Sequence, residues 1–522
     1  MKPMPKSTIS NQQSTISNSQ SAISPQPSKQ ALFATLPPPW PEDLRLQIRA
    51  AVASQPSHKL IVLDDDPTGT QTVQDVPVLT VWDVDTLRAE LAQPGPCFYI
   101  LTNSRSLTPD AARGLCREVA RNLREAAGAA AFQPPSVGQA PCGGSKAAVP
   151  FTIVSRSDST LRGHYPLETD VLAEELGPFA ATILIPYFEA GGRYTIGDVH
   201  YVAEGDVLMP AAETPFARDA AFGYQSSNLR DYVAEKTAGR VKTSEVASVT
   251  LDDLRRGGPA AVTKALLSLT ANSVCIVNAA APQDLEVFVA GLGEAEAQGR
   301  RYLFRTAAQF VAARLGLEPP ALWQPLGTAA FQPPSDGRLE SRHSERRLGG
   351  LTVVGSYVPK TTAQVDALLA NPELARVEVS VADILNSTRR AAEISRVVSR
   401  TNQSLAAGQD VVIFTSRQLI TGHDAAGSLD IGAKVSDALV EAVRRLEVRP
   451  RYLIAKGGIT SSDLATKGLG VKRARVLGQI LPGVPVWELG LETNFPGLPY
   501  IVFPGNVGGP EALLDAVQKL KT

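Results

Sequence analysis

Three consecutive carboxylates, Asp64, Asp65 and Asp66, stand in IVLDDDPTGT directly after an apolar run. At a strand end such groups repel one another, and burying them requires donors, a cation or a proton. Folding alone rarely selects that arrangement, whereas proton transfer and metal binding often do. Gly69 would let the backbone come close to a ligand. A second cluster, SRSDSTLRGHYPLE (155–168), crowds the hydroxyls of Ser157, Ser159 and Thr160, the carboxylate of Asp158 and the guanidinium groups of Arg156 and Arg162 into one turn. A polyhydroxylated acid asks for that mixture: hydroxyls and Asp for its OH groups, Arg for bidentate capture of its carboxylate. Arg105, in TNSRSL, closes another strand in the same half and is expected as a further carboxylate clamp.

Behind these, YFEAGGRYTIGDVHYV (187–202) carries a double glycine, Arg193, Asp198 and His200, and suggests a loop folding over the site. His164 and His200 read as structural, and no third ligand at helical spacing supports a metal, so the metal ligands are left unassigned. The other half of the chain offers anion-type turns: Gly355-Ser356, then Gly457, Gly458, Ile459 and Thr460 in IAKGGITSSDLA, then Gly505, Asn506 and Gly508 in FPGNVGGPEAL. A glycine turn entering a helix presents free N–H groups to an anion, with Thr460, Ser461, Ser462 and Asp463 as cap candidates and Lys456 as a point charge. Neither GxxxxGK[ST] nor GxGxxG occurs, so a P-loop is excluded and a dinucleotide site disfavoured.

These residues need rigid elements behind them. Strands are expected at Lys59–Asp64, Val76–Trp82, Cys97–Leu101, Phe151–Ser155, Ala181–Pro186 and Ser273–Val277, and in the second half within LTVVGS, DVVIFTS, RYLIAK and LPYIVFPG. Helices fit at Val84–Leu91 after Asp83, at Pro109–Ala126 with Thr108 as cap, and at Pro282–Glu296. The alternation predicts an α/β fold of two domains, each a mostly parallel sheet flanked by helices, with the active site in the cleft between them. The boundaries expected are a disordered polar tail over 1–36, a substrate-binding domain over 37–324 interrupted by an insertion at about 131–148, a linker over 325–350, and a nucleotide-binding domain over 351–522. The tail repeats STISN at seven-residue spacing but is too polar for a coiled coil, and both inserted stretches contain AAFQPPS.

The chain has 522 residues and a formal net charge of −1, with no long-range field to draw it onto nucleic acid or anionic membrane. Its four cysteines, Cys97, Cys116, Cys142 and Cys275, form no CxxC pair. No apolar run approaches a membrane span and the first residues lack a secretion signal, so a cytoplasmic protein is expected.

DDDPTGT, SRSDSTLRG and GRYTIGDVHYV in front, with GS, KGGITSSD and PGNVGG behind, closely resemble the four-carbon acid sugar kinase family, over nearly the whole folded chain. The resemblance implies an N-terminal substrate domain, a C-terminal nucleotide domain, and ATP-dependent phosphorylation of threonate, erythronate or 3-oxo-tetronate with Mg²⁺. It further implies that Asp66, Arg105 and the turn Arg156, Ser157, Asp158 and Ser159 contact the sugar acid, and that Ser356, Gly457 to Thr460 and Gly505 contact ATP. Many members carry lysine where Arg156 stands, and Lys-Ser-Gly where this chain has Phe503-Pro504-Gly505, which removes one phosphate cation. Asp66, beside Asp65, is the expected proton acceptor, with Arg105 and Arg162 orienting the carboxylate. The partners expected are the sugar acid and ATP, and a homodimer is a compatible assembly. Two rival functions stay open. Asp64, Asp66 and Thr68 satisfy the DxDxT nucleophile pattern of haloacid-dehalogenase-like phosphatases, with ILTNS like their second motif. A non-catalytic sugar-acid sensor would use the same turns without turnover.

Overall fold

The computed structural model describes residues 28–128, 149–325, 348–355, 359–416, 425–505 and 507–521. Ser356 and Asn506 lie outside these residues, as do Cys142, most of the expected linker and all of the expected insertion.

Lys59–Asp64, Cys97–Leu101 and Phe151–Arg156 are buried on both faces, as parallel sheets covered by helices require, and they belong to a larger set of strands. In the first half these are β1 (Lys59–Asp64), β2 (Pro77–Leu79), β3 (Cys97–Leu101), β4 (Phe151–Arg156), β5 (Ala181–Ile185), β6 (Arg193–Ile196), β7 (Val199–Glu204), β8 (Val207–Pro210), β9 (Ala247–Val249), β10 (Ser273–Val277) and β11 (Tyr302–Thr306). The second half adds β12 (Leu351–Val354), β13 (Ala375–Val379), β14 (Val411–Thr415), β15 (Leu453–Lys456), β16 (Arg473–Leu481), β17 (Val484–Leu489) and β18 (Pro499–Phe503). Among the described residues the first half pairs in the order β2-β3-β1-β4-β11-β5-β10-β9, parallel throughout, and the second in the order β13-β14-β12-β15-β18, also parallel. Strands β6, β7 and β8 form a separate antiparallel sheet.

The two halves do not keep separate sheets. The antiparallel hairpin β16–β17 attaches to β18 on one side and to β2 on the other, through Arg473↔Leu79, Ala474↔Val78 and Arg475↔Pro77. One continuous 15-stranded sheet results. The run expected as a strand from Val76 to Trp82 shrinks to the three residues of β2, because Thr80 leaves the ladder and bonds the second half: its N–H donates to Lys472 O (3.0 Å) and its hydroxyl to Val471 O. The pairing also covers an edge that would otherwise expose unpaired backbone.

Two helices begin at the expected caps: Asp83 accepts from Thr86 N (2.9 Å) and Thr108 from Ala111 N (3.4 Å). Of the tail expected over 1–36, residues 1–27 lie outside the described residues and the rest is ordered structure. Lys29–Ala34 is a helix capped by Ser28, fastened where Lys29 Nζ donates to Tyr194 Oη at 2.8 Å. Among the described residues no helix is long and apolar enough to cross a membrane.

Candidate functional site

Parallel pairing brings the ends of β1, β3, β4 and β11 together, and register decides the first contact of the site. Asp64 faces Arg156 directly across the β1–β4 ladder, and Arg156 Nη1 donates to Asp64 Oδ1 at 2.9 Å. Both side chains are buried. Burial pushes the Asp64 carboxyl up to about 7, against the pull of Arg156. Gly69 has a different part from the one expected. A Cβ there would lie 2.1 Å from Asp64 Oδ2, so the missing side chain makes room for this chain's own carboxylate rather than for a ligand.

Asp65 is equally enclosed. It accepts from Arg105 Nε at 3.2 Å and from Ser157 Oγ at 2.6 Å. Burial works against its charge, but Arg105, Arg156 and Arg305 outweigh that and hold it below the usual carboxylate range. Asp66 is the one member of the trio with an open face, its side chain 17% exposed against 3% for Asp65. Its Oδ1 accepts from Thr68 N at 2.9 Å, which starts the short helical turn Pro67–Thr72, and Arg105 Nη1 stands 3.7 Å from its Oδ2.

The hydroxyl-rich turn after β4 divides in two. Ser157 Oγ also lies 2.9 Å from Arg162 O, and the side chain faces inward. Asp158 accepts from Arg162 Nε at 2.6 Å and from the Thr160 hydroxyl. Burial opposes its charge, yet Arg162 and Arg105 keep it well below the ordinary range. The Ser159 carbonyl accepts from His200 Nε2 at 2.8 Å, and Thr195 Oγ1 lies 3.0 Å from Nδ1 of the same ring. That bonding suits a neutral imidazole, and burial pushes the His200 pKa down to about 4. His164 Nε2 lies 3.1 Å from the carbonyls of Ser104 and Leu107.

The sequence reading missed β11 and with it Arg305. This buried guanidinium donates to Ser155 Oγ (2.8 Å), Ser157 Oγ (2.7 Å) and the Glu168 carboxylate, whose Oε1 also takes the Ser104 hydroxyl. The run YLFRT after the Pro282–Ala297 helix carries the strand signal that would have found it. Gly163, at φ +122°, makes the assembly fit, since a Cβ would sit 2.5 Å from Ser157 Oγ and 2.8 Å from Arg305 Nη2.

In the second half, β15 ends at Lys456 and turns through Gly457, whose φ of +111° favours glycine, into a helix that starts at Gly458. Thr460, Ser461, Ser462 and Asp463 lie inside that helix and do not cap it. Ser461 Oγ instead donates back to Ala455 O at 2.8 Å. A Cβ on Gly355 would meet Thr460 Oγ1 at 2.6 Å, which brings the end of β12 beside this turn. Lys456 is fully buried, with Nζ donating to Pro504 O (2.5 Å) and Gly505 O (3.3 Å) and lying 4.3 Å from the Phe503 ring centre. Burial, reinforced by Lys360, pushes it down to about 7. The third glycine turn is not a direct entry into a helix, which begins only at Ala512. There Gly508 allows close packing, its missing Cβ facing Ala512 Cβ at 2.3 Å, whereas Gly505 faces open space.

The halves meet at the acidic loop. A Cβ on Gly458 would stand 2.6 Å from Asp66 Oδ2, and Trp487 Nε1 donates to Thr70 Oγ1 at 3.0 Å in a buried contact. Asp66, Arg105, Asp158 and Arg162 are thus gathered in the first half with the Gly457–Gly458 turn beside Asp66, while Arg156 and Ser157 stand behind Asp64 and Asp65.

Two family models match the chain, a sugar-binding N-terminal domain over residues 60–314 and a nucleotide-binding C-terminal domain over residues 351–513. Over 442 residues it is 24% identical to the D-erythronate kinase of Heliobacterium modesticaldum, covering 81% of this chain and 87% of that one. The chain belongs to the four-carbon acid sugar kinase family. It is a carbohydrate kinase. The kinase is also 31% identical over 172 residues to the 3-oxo-isoapionate kinase of Paraburkholderia graminis, covering 30% of this chain and 36% of that one. Its fold is shared with a Salmonella typhimurium LT2 protein named as a candidate tRNA synthase, at a TM-score of 0.61 and 18% identity over 88% of this chain and 98% of that one. Haemophilus influenzae protein HI1011 matches at 0.55 and 18%, over 87% and 98%.

Proposed function

We propose that this kinase transfers the γ-phosphoryl group of ATP to a hydroxyl of a four-carbon sugar acid of the threonate, erythronate or 3-oxo-tetronate type. The observation that carries the reading is the approach of Asp66 to Gly458. It sets a solvent-reaching carboxylate of the sugar-binding half against a glycine turn of the nucleotide-binding half. The second half also fits an anion. Lys456 is a buried amine that, among the described residues, has carbonyls and a ring for company but no carboxylate, and a bound phosphate would favour its charged form. Gly457, Gly458, Ile459, Thr460, Gly505 and Gly508 would line the phosphates, joined by Ser356 and Asn506 from outside the described residues. The buried ammonium would serve the Phe503-Pro504-Gly505 turn, where many relatives have a lysine of their own.

Asp66 accepts the proton of the attacking hydroxyl as its oxygen bonds to phosphorus and the bond to ADP breaks. Arg105 keeps the acidic loop charge-balanced, and Asp158 and Ser159 with Arg162 offer polar contacts to the remaining hydroxyls. Arg156 and Ser157 hold Asp64 and Asp65 in place. Phosphoryl transfer of this kind depends on alignment and charge neutralisation. Mg²⁺ supplies neutralisation when bound. Among the described residues no group of three or more His, Cys, Asp or Glu is placed to hold a metal.

The phosphatase reading needs Asp64 or Asp66 as a free nucleophile beside an acidic metal cage. Asp64 is sealed between Arg156 and Gly69, which argues against it. An ADP-release screen over four-carbon sugar acids, including 3-oxo acids, tests the proposal. ADP formed only with a sugar acid present is the expected result. Phosphate released from a phosphoester without ATP, or ligand binding with no turnover, would overturn it.

A further inference from the structure

The sugar-binding half gathers several arginines around its acidic loop, and most are already matched to acids: Arg105 to Asp65, Arg156 to Asp64, Arg162 to Asp158 and Arg305 to Glu168. Arg193 differs from them. Among the described residues no carboxylate lies within ion-pair distance of it, and its Nε is buried without an acceptor. An arginine keeps its charge at any physiological pH, so this guanidinium is a cation in want of an anion.

Its position is built rather than incidental. Arg193 and Phe188 exchange both backbone hydrogen bonds, N–H to O at 2.9 and 3.0 Å, closing a tight loop at the start of β6. The double glycine inside the loop is what lets it close. Gly192 sits at φ +73°, and a Cβ on Gly191 would stand 2.5 Å from Phe188 Cδ1 and 3.1 Å from Arg193 Nη1. The guanidinium lies over the ring of Phe216 at 5.6 Å, and the same ring carries Arg162 at 5.0 Å. Phe216 thus ties Arg193 to the Asp158–Arg162 pair of the hydroxyl-rich turn. Burial pulls the Arg193 pKa down, with Asp158 acting the other way, the mark of a cation held near this turn without a full partner.

We propose that Arg193 receives the carboxylate of the substrate and thereby sets the preference of the enzyme for acids over neutral polyols. The inference rests on the sugar-acid kinase reading and sharpens it. The arginines singled out by the sequence as carboxylate clamps are occupied by the protein's own aspartates. Compared with these described arginines, Arg193 in the glycine loop has a charge to give. Hydroxyls of the substrate would then fall towards Asp158 and Ser159, leaving a chain-end hydroxyl for Asp66.

The test compares wild type, Arg193→Gln and Arg193→Lys in ADP release with the best four-carbon acid, its carboxamide and the corresponding polyol. Losing a charge-assisted bidentate contact is expected to raise KM for the acid about 10- to 100-fold in Arg193→Gln. Arg193→Lys should fall between, because it keeps charge and loses the fork. The kcat at saturation and the KM for ATP should change little, and Arg193→Gln should no longer prefer acid over carboxamide. An unchanged KM for the acid in both variants overturns the assignment. So does an equal loss for acid, carboxamide and polyol, since that marks a structural role. If Arg193→Gln does not fold, Arg193→Lys and the wild-type acid-to-carboxamide ratio decide. A wild type that turns over no sugar acid would instead overturn the kinase reading itself.

Discussion

Asp66 and Gly458 belong to different halves of the chain, yet a single added carbon on Gly458 would stand 2.6 Å from the Asp66 carboxylate. The absence of a side chain at one position therefore sets where the acid of the other half can sit. Replacing Gly458 by Ala should push that carboxylate aside without unfolding the protein, because what must move is the end of a side chain. Misplacing a reacting group by about 1 Å can cost on the order of 100-fold in rate. A kcat reduced at least tenfold with an unchanged melting temperature is the outcome to look for.

Asp66→Asn keeps shape and the bond from Thr68 N but removes the proton acceptor. Positioned general bases contribute roughly 10²- to 10⁴-fold, so kcat should fall by about that much. ATP binding, followed by calorimetry, should persist. Turnover close to wild type would show that another group takes the proton.

Arg305 is the buried counter-charge of Glu168 and a support for Ser157, which in turn holds Asp65. Removing one partner of a buried ion pair typically costs about 3–5 kcal/mol, because the other charge is left uncompensated. Arg305→Gln should show that loss in denaturant unfolding, and Glu168→Gln in the same chain should restore part of it. A variant as stable as wild type would mean Glu168 finds another donor.

His200 ties the Ser159 turn to β6 in its neutral form. Its pKa in the fold is depressed from 6.5 to about 4, so the unfolded chain binds the extra proton first. Stability from this group is complete above about 6.5 and is lost as pH falls towards 4. For a fully buried ring that drop corresponds to about 3 kcal/mol. Half-buried His58, pushed the same way, adds to the slope. Unfolding free energies at several pH values should decline across that window, and His200→Gln should flatten the decline.

Much of this was legible in the residues themselves. Apolar runs bounded by Gly, Pro and Asp marked β1, β3, β4 and β10 because strands buried on both faces must be apolar throughout, and Asp83 and Thr108 marked helix starts because a free N–H needs an acceptor. The acidic loop, the hydroxyl-rich turn and the glycine turns stood out as residue types that packing alone does not select. Less legible were β11 with Arg305 and the β16–β17 hairpin, whose partners lie far away in sequence.

Which charge meets which could come only from tertiary structure. Strand register places Asp64 opposite Arg156, and a loop return places Arg105 on Asp65. These pairings use up the arginines that the sequence offers for a substrate, and among the described residues they leave Arg193 Nε buried without an acceptor. Likewise nothing near Gly458 in sequence announces Asp66. Local residue types settle which chemistry is available, since a side chain carries its charge and hydrogen-bonding groups wherever it goes. Three-dimensional pairing settles which of those groups remain free, because a charge neutralised inside the protein has little left to offer a ligand.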